Sequence, residues 1–179
     1  FATAAAQSSG LVDTLGTMAK SASVGGAARN GLIAAELASR GFSGPARPLT
    51  GARGYLAVYG RDADAAALSD DLGHRWEIAD NAYKPYPVGV VLNPVLDACL
   101  DLYLEEEVRA GDLASVELTG HPLLRQRTDR PNIATGREAQ VSAQHAIAMV
   151  LTHGRAGLGE FTDAAVAETA ASGRPQVRF

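Results

Sequence analysis

The segment from Lys84 to Pro87, with the order Lys-Pro-Tyr-Pro, carries the most definable chemistry in the chain. Pro85 and Pro87 fix φ on either side of Tyr86, so the backbone beside the lysine is stiff and extended. A lysine held in this way suits a carboxylate, because its ammonium offers three N–H donors and a full charge. The next helix is predicted to begin near Pro94, and free N–H groups at a helix N-terminus also favour anions. The segment indicates an anion site, and a rigid turn with a solvated lysine is the alternative.

Other side chains that could bind or catalyse are sparse. The chain has only one other lysine, Lys20. His145 and His153 lie eight residues apart on one predicted helix, too far apart for one metal ion. Asp97 and Asp101 are one helical turn apart, but no histidine completes a metal site there, so no metal is expected. The chain contains no P-loop, G-x-S-x-G or H-E-x-x-H motif.

The composition is that of a folded and slightly acidic protein. The chain has 179 residues, of which 46% are hydrophobic and 20% charged, which excludes the disordered class. A net charge of −4 argues against a dedicated nucleic-acid binder. The apolar runs are shorter than the roughly 18–20 residues that a membrane helix needs. The single cysteine, Cys99, excludes an internal disulfide, and with no signal peptide in view it favours a cytoplasmic location.

Apolar periodicity predicts a mostly helical chain. Small residues give the first long helix a broad face, and its three glycines, Gly25, Gly26 and Gly31, indicate close approach of another helix or of a ligand. Asp62 and Thr162 are predicted N-caps, and glycines end three of the helices. The predicted helices span residues 21–40, 62–72, about 94–109, 139–153 and 163–171.

Two short strands, 76–78 and 114–119, are predicted to share one sheet, and 173–179 has the character of a turn that enters a strand. Residues 81–93 and 121–138 are predicted to be extended or loop-like. The predicted fold class is therefore α+β and mostly helical. Both chain ends fall inside predicted elements, which favours a piece of a longer protein.

Four segments resemble motifs of the MmgE/PrpD family, in the family's order. Residues 84–100 resemble its signature KPYPxGxxxHPxxDAxL. Residues 16–31 resemble GTxxKxxxxGxAAxxG, residues 37–45 resemble LAxxGxTGP, and residues 135–154 resemble TGxEAxFSxxHAxAxxLxxG. The family includes 2-methylcitrate dehydratase, cis-aconitate decarboxylase and iminodisuccinate epimerase. The resemblance places this chain in the middle-to-C-terminal part of the longer family protein.

The resemblance implies an all-α domain interrupted by a small α/β lid domain. The implied boundaries are residues 1–60 in the helical domain, 61–138 in the lid and 139–179 in the helical domain again. The implied protein is a homodimer.

The resemblance also implies a lyase, of the hydro-lyase type, or an isomerase that uses no cofactor. Such an enzyme acts on a small polycarboxylate by removing a proton next to a carboxylate. Lys20 and Lys84 fall on the family's two lysine positions and are the implied catalytic residues. Tyr86, Asn93 and Ser23 are the implied substrate-binding residues.

Two of these positions depart from the family's pattern. Asn93 stands where the signature has histidine, and Ser23 stands where many members have one. An asparagine can hold a substrate by hydrogen bonds, but it cannot shuttle a proton near pH 7. A degenerate, non-catalytic binding or scaffold protein is therefore the alternative function. The cluster Arg125, Arg127 and Arg130 leaves open a nucleic-acid contact, a solvated loop or a rim of the polycarboxylate site.

Overall fold

The computed structural model describes all 179 residues and divides them into two compact units, Phe1–Ala82 (unit 1) and Tyr83–Phe179 (unit 2). Unit 1 contains the helices α1 (Ala2–Ala5), α2 (Met18–Ser39) and α3 (Tyr55–Tyr59). Unit 2 contains α4 (Asn93–Leu104), β1 (Ser115–Glu117), α5 (Pro122–Thr128), α6 (Gly136–Ala139), α7 (Ala143–His153), α8 (Asp163–Ser172) and β2 (Gln176–Arg178). The mostly helical α+β class predicted from the sequence is confirmed.

The long helix of unit 1, α2, matches the predicted helix at 21–40 and begins three residues earlier. It ends as expected, because Gly41 takes the left-handed conformation, with φ +81°, that glycine adopts without strain. Ala34 is the one buried residue of unit 1. Met18, Val24 and Leu32 on the same helix are all exposed, so α2 does not organise a core within its own unit.

The core of unit 2 forms around α7, whose residues 143–151 are all buried. This helix packs against α4 and α8. The largest side chains with almost no exposure come from the turn before α4, from α4 and from α7: Leu92, Leu96, Ile147 and Leu151. Each such burial is worth about 1.5–3 kcal/mol relative to exposure, so α7 is the element on which unit 2 depends.

The sheet of unit 2 has two parallel strands, and it corrects one prediction. β1 pairs with β2 so that Val116 faces Val177. The strands predicted at 114–119 and after Gly173 are confirmed. The strand predicted at 76–78 is wrong, because Glu77–Asp80 form a 3₁₀ turn. Trp76 and Ile78 are exposed, so the apolar pattern that suggested a strand is not buried by any neighbour.

The helix at the centre of the signature segment, α4, is shorter than predicted. It ends at Leu104 rather than near Arg109. Glu105, Glu106 and Glu107 follow directly, and carboxylates at the negative end of a helix dipole disfavour further turns. Arg109 instead turns back to the helix end, where its Nη1 donates to the carbonyl of Tyr103 at 2.9 Å. Its guanidinium lies 3.8 Å from the centre of the Tyr103 ring.

The stretch 121–138 was predicted to be a loop and contains two short helices. Pro122 suits the first turn of α5, and His121 Nδ1 accepts a hydrogen bond from the Leu123 N–H at 3.1 Å. α6 begins at a reciprocal cap between Thr135 and Glu138. The polar composition hid both helices, because their stability comes from caps and packing rather than from an apolar stripe.

The short helix predicted at 62–72 is reduced to a 3₁₀ turn at Ala66–Leu68. Asp62 is not its cap, since it adopts a left-handed conformation with φ 53°. Asp64 accepts the Ala66 N–H at 2.8 Å instead. The domain boundaries at 60/61 and 138/139, with the lid between them, stay a prediction.

Candidate active site

The segment 84–94 of unit 2 is anchored at its apolar end and open at its lysine end. Val88 is buried, and the N–H of Gly89 donates to the carbonyl of Gln140 at 2.8 Å. A 3₁₀ turn, Val90–Leu92, then leads directly into α4. Since Lys84 is exposed, the segment holds its lysine at the rim of unit 2.

The Lys84 ammonium is only partly engaged within the protein. Its Nζ donates to the carbonyl of Val88 at 3.1 Å, which folds the side chain back over the two prolines. An ammonium group has three N–H bonds, so two remain for another acceptor. No ion pair with an acidic side chain is formed at Lys84. This geometry suits a carboxylate that approaches from solvent.

Tyr86 has a partner on α4 that the sequence did not indicate. Its hydroxyl donates to Asp97 Oδ1 at 2.5 Å. Burial, the hydrogen bond to Asp97 and the nearby charges of Asp97 and Asp101 raise the pKa of Tyr86 to about 12. The phenol therefore keeps its proton at neutral pH and directs it to Asp97. Its predicted role as a substrate ligand remains a prediction.

Asn93 is the first residue of α4 and carries the protein's one buried side-chain polar atom that lacks a hydrogen-bond partner. That atom is its Oδ1. An unsatisfied buried acceptor costs about 1–3 kcal/mol, so a group that can donate to it is favoured at this position. Asn93 thus offers an acceptor on the same segment on which Lys84 offers donors.

The two predicted site residues of unit 1 lie on the first turns of α2. Lys20 is exposed, and its side chain forms no hydrogen bond or ion pair. Ser23 donates its hydroxyl to the carbonyl of Lys20 at 2.7 Å, so it can only accept from a ligand. Lys20 and Lys84 belong to different units, and their convergence on one anion stays a prediction.

The motif that begins at Thr135 has a structural explanation within unit 2. Glu138 Oε2 accepts the N–H groups of Ala134 at 2.8 Å and of Thr135 at 3.0 Å. These bonds lower the pKa of Glu138. Gly136 allows close packing, because a Cβ there would collide with the carbonyl oxygen of Phe161. These residues set the entry to α7.

His145, in the same motif, is a fully buried core residue with both ring nitrogens satisfied. Its Nε2 donates to the carbonyl of Glu160 at 2.7 Å, which leaves Nδ1 to accept from the Thr169 hydroxyl at 3.0 Å. Arg174 Nε in turn donates to Thr169 Oγ1 at 3.0 Å. Burial lowers the pKa of His145 and so favours the neutral form of the ring. It joins α7 to α8 and does not face solvent.

The basic cluster at 125–130 is partly neutralised by neighbouring groups. Arg125 lies 3.7 Å from Asp129, and Arg130 donates to the carbonyls of Asp129 and Gln126. No three histidine, cysteine, aspartate or glutamate side chains are grouped so as to hold a metal ion. No helix combines the length and the apolar character needed to cross a membrane.

Comparison with known families decides what the two units are. The family model of the MmgE/PrpD N-terminal domain matches residues 1–67, and that of the MmgE/PrpD C-terminal domain matches residues 86–172. The chain belongs to the MmgE/PrpD family. Its members are enzymes of the dehydratase and lyase type. No curated protein matches the chain.

The family match agrees with the division of the structure. The boundary between Ala82 and Tyr83 lies between the two matched ranges, so each unit corresponds to one MmgE/PrpD domain. Lys20 and Ser23 lie in the N-terminal match, and Tyr86 and Asn93 lie in the C-terminal one. Lys84 lies two residues before the second match begins.

Proposed function

We propose that this MmgE/PrpD chain is a segment of a cofactor-free lyase or isomerase that acts on a small polycarboxylate. A base removes a proton next to a carboxylate, and the negative charge spreads onto that carboxylate. The intermediate then expels a hydroxyl group, which takes the proton back from the base and leaves as water, or the intermediate takes up a proton on its other face. Decarboxylation, in which carbon dioxide leaves instead of the proton, is the third reaction of this type.

The single observation that carries the proposal is that residues 84–93 include both spare hydrogen-bond donors, on Lys84, and an unpaired acceptor, on Asn93. Lys84 keeps two N–H bonds for a carboxylate, and the buried Oδ1 of Asn93 has no donor of its own. A ligand with a carboxylate and a hydroxyl group offers what both atoms lack. A cation beside the carboxylate also stabilises the charge that develops when the neighbouring proton is removed.

Lys20 completes the proposal from unit 1. Its ammonium is exposed and has no internal partner, as expected for a group that binds a second carboxylate. Ser23 accepts a hydrogen bond from the substrate. The general base lies outside the residues proposed here, because Asn93 does not titrate and Tyr86 holds its proton.

A thermal-shift series with citrate tests the site. Citrate should raise the melting temperature of the chain more than chloride does at matched ionic strength, because a ligand bound only to the folded state stabilises it. Lys84→Ala should remove most of that rise. Arg178→Ala, which removes an exposed cation from the same unit, should keep it.

Equal citrate shifts in wild type and Lys84→Ala would remove Lys84 from the site. Equal loss in Lys84→Ala and Arg178→Ala would mean that citrate responds only to the overall charge. Either result would overturn the assignment.

A non-catalytic binding or scaffold protein is the second candidate, and Asn93 favours it. The residue that replaces the signature histidine cannot move a proton. Proton exchange separates the two functions: an enzyme should replace substrate hydrogens next to the carboxylate with deuterium in heavy water, as followed by proton NMR. A binding protein should show the citrate shift with no exchange.

The proposal includes a homodimer in the cytoplasm. Large hydrophobic side chains that are exposed number 16 in unit 1 and six in unit 2, and such surfaces favour association. Sedimentation of the chain over a range of concentrations should therefore give a dimer or a larger species. A monomer at the highest concentration would count against it.

A further inference from the structure

Unit 1 contains a cleft that is separate from the residues of the proposed lyase site. Its volume is about 400 Å³, within the range of small-molecule sites. The apolar part of its lining comes from α1 and from the prolines and tyrosines of 45–59. The residues that define its chemistry are Pro45, Arg47, Pro48, Arg53, Tyr55 and Tyr59.

The charged residues that line this cleft are both arginines. Residues 37–61 include four arginines and no aspartate or glutamate, and residues 2–12 carry no charged side chain. Arg40 is already paired with Glu36. Arg47 makes only a long hydrogen bond to the carbonyl of Thr50, at 3.4 Å, and Arg53 has no partner at all. Two arginines therefore line one cleft, and neither forms an ion pair with a carboxylate.

The walls are held in place by backbone contacts. The N–H of Tyr55 donates to the carbonyl of Pro48 at 2.8 Å, and that of Leu56 to Leu49 at 3.1 Å. A Cβ at Gly54 would lie 2.9 Å from the carbonyl of Pro48, so the loop closes this tightly only with glycine. These contacts fix the loop that carries both arginines.

The aromatic wall of the cleft, formed by Tyr55 and Tyr59, is also held by defined contacts. The Tyr55 and Tyr59 rings lie 4.9 Å apart at an angle of 35°. The Tyr59 hydroxyl donates to the carbonyl of Ser8 at 3.1 Å and so joins this wall to the segment after α1. Tyrosine faces stack on planar rings, and arginine binds phosphate and carboxylate with two parallel hydrogen bonds.

We propose that this cleft binds a small organic anion with an aromatic ring and a phosphate or carboxylate group. The ring packs against Tyr55, Tyr59 and the prolines. Arg47 and Arg53 bind the acidic group. This site takes a different ligand from the lyase site and involves neither Lys84 nor Asn93.

Calorimetric titration of the 179-residue chain with phenyl phosphate tests the proposal. Phenyl phosphate should bind more tightly than inorganic phosphate, which lacks the ring, and more tightly than benzyl alcohol, which lacks the charge. Phenylacetate, tested in parallel, distinguishes a preference for carboxylate from one for phosphate, and binding of either supports the site.

The matched variants are Arg53→Gln and Arg47→Gln, with Arg61→Gln as the control from the same segment that does not line the cleft. Each of the first two should weaken phenyl phosphate binding about tenfold or more, the effect of losing one charge-assisted hydrogen bond. Arg61→Gln should change it less than about twofold.

Three results would overturn the proposal: equal losses in all three variants, inorganic phosphate binding as tightly as phenyl phosphate, or no heat of binding with phenyl phosphate and phenylacetate. Circular dichroism of each variant checks that the helices are intact. Because the test uses neither citrate nor Lys84, its failure would leave the lyase proposal standing, and the reverse also holds.

Discussion

Two isoleucines illustrate how differently the two units bury their apolar side chains. Ile33, on α2 of unit 1, is 44% exposed, whereas Ile147, on α7 of unit 2, is fully buried. The same contrast extends over both units, since unit 1 buries Ala34 alone and unit 2 contains the entire hydrophobic core. Unit 2 is organised by its own contacts, and unit 1 presents surfaces that its own residues do not cover.

The contrast explains why the family motifs have different roles in the two units. In unit 2, Thr135, Gly136 and His145 all have partners inside the unit, so their motif serves the fold. In unit 1, a Cβ at Gly25 or Gly31 would meet nothing within 4 Å. The glycines of the first motif are therefore not required by packing within unit 1, which is consistent with their facing a ligand or another chain.

The largest expected loss of stability follows from truncating a buried core side chain. Ile147→Ala should destabilise unit 2 by about 2–5 kcal/mol, because it leaves a cavity between α7 and its neighbours. Ile33→Ala, the same change on an exposed site, should alter the stability of α2 by less than about 1 kcal/mol. Native-state hydrogen exchange of the α7 and α2 amides measures both values. Similar losses in the two variants would mean that α2 is covered in solution.

A pair of glycines should give effects of opposite sign. Gly136→Ala should cost about 1–3 kcal/mol or more, since the new Cβ meets backbone atoms of Phe161 and Thr162 that cannot easily move. Gly31→Ala should stabilise α2 by up to about 1 kcal/mol, because alanine is the better helix former and the site is open. Thermal melts followed by circular dichroism compare them. Destabilisation by Gly31→Ala would reveal a close neighbour of α2.

The pH dependence of unit 2 should depend on His145. Burial lowers the pKa of His145 in the folded protein below the ordinary value of 6.5. Below pH 6.5 the unfolded chain therefore binds a proton at this histidine more readily than the folded protein does. Stability is therefore fully present above pH 6.5 and falls as the pH drops below it, by at most about 1.4 kcal/mol per pH unit.

Urea unfolding at pH values from 7.5 to 5.5 measures this slope. It should be reduced in His145→Gln and retained in His74→Gln, which changes an exposed histidine of unit 1. A slope that survives in His145→Gln would assign the titration to another group. Glu138 and Glu160 do not interfere in this window, because both have pKa values lowered below 4.5.

The smallest expected effect is the difference in stability between alanine substitutions at two threonines that precede helices. Thr135 Oγ1 accepts the Glu138 N–H at 3.3 Å, so Thr135→Ala should cost about 1 kcal/mol. Thr17 precedes α2 but makes no cap bond with its side chain, which donates to the carbonyl of Thr14 instead. Thr17→Ala should therefore cost less, as measured by the same melts. A larger cost at Thr17 would indicate that the start of α2 is tied to a partner.

Prediction from the sequence worked best for elements with local signals. The C-terminal end of α2 followed from Gly41, and the start of α8 followed from the Thr162 cap, whose Oγ1 accepts the Ala165 N–H at 3.2 Å. It failed at 76–78, because the apolar side chains there are not buried by a neighbouring element. It also failed at 121–138, because the polar helices there depend on caps. The pairing of β1 with β2 joins residues 61 positions apart, and no local pattern encodes it.

The candidate site divides in the same way. The sequence identified Lys84, Lys20 and Asn93 by residue type and by motif, because charge and hydrogen-bonding capacity are properties of the side chain itself. It did not indicate that Asp97 receives the Tyr86 proton or that Asn93 Oδ1 is buried without a donor. Both facts depend on how α4 packs.

The family, the mostly helical class, the C-terminal end of α2, the N-cap of α8 and the candidate lysines could all be predicted from the sequence alone. Each of these follows from residue type or from short-range spacing, which the chain carries before it folds. The packing of the folded chain was needed to show that His145 serves the core, that Gly136 is a packing residue and that the arginines of 47–53 share a cleft. Burial and partnership arise from contacts between distant residues, and they decide whether the same side chain supports the fold or remains available to a ligand.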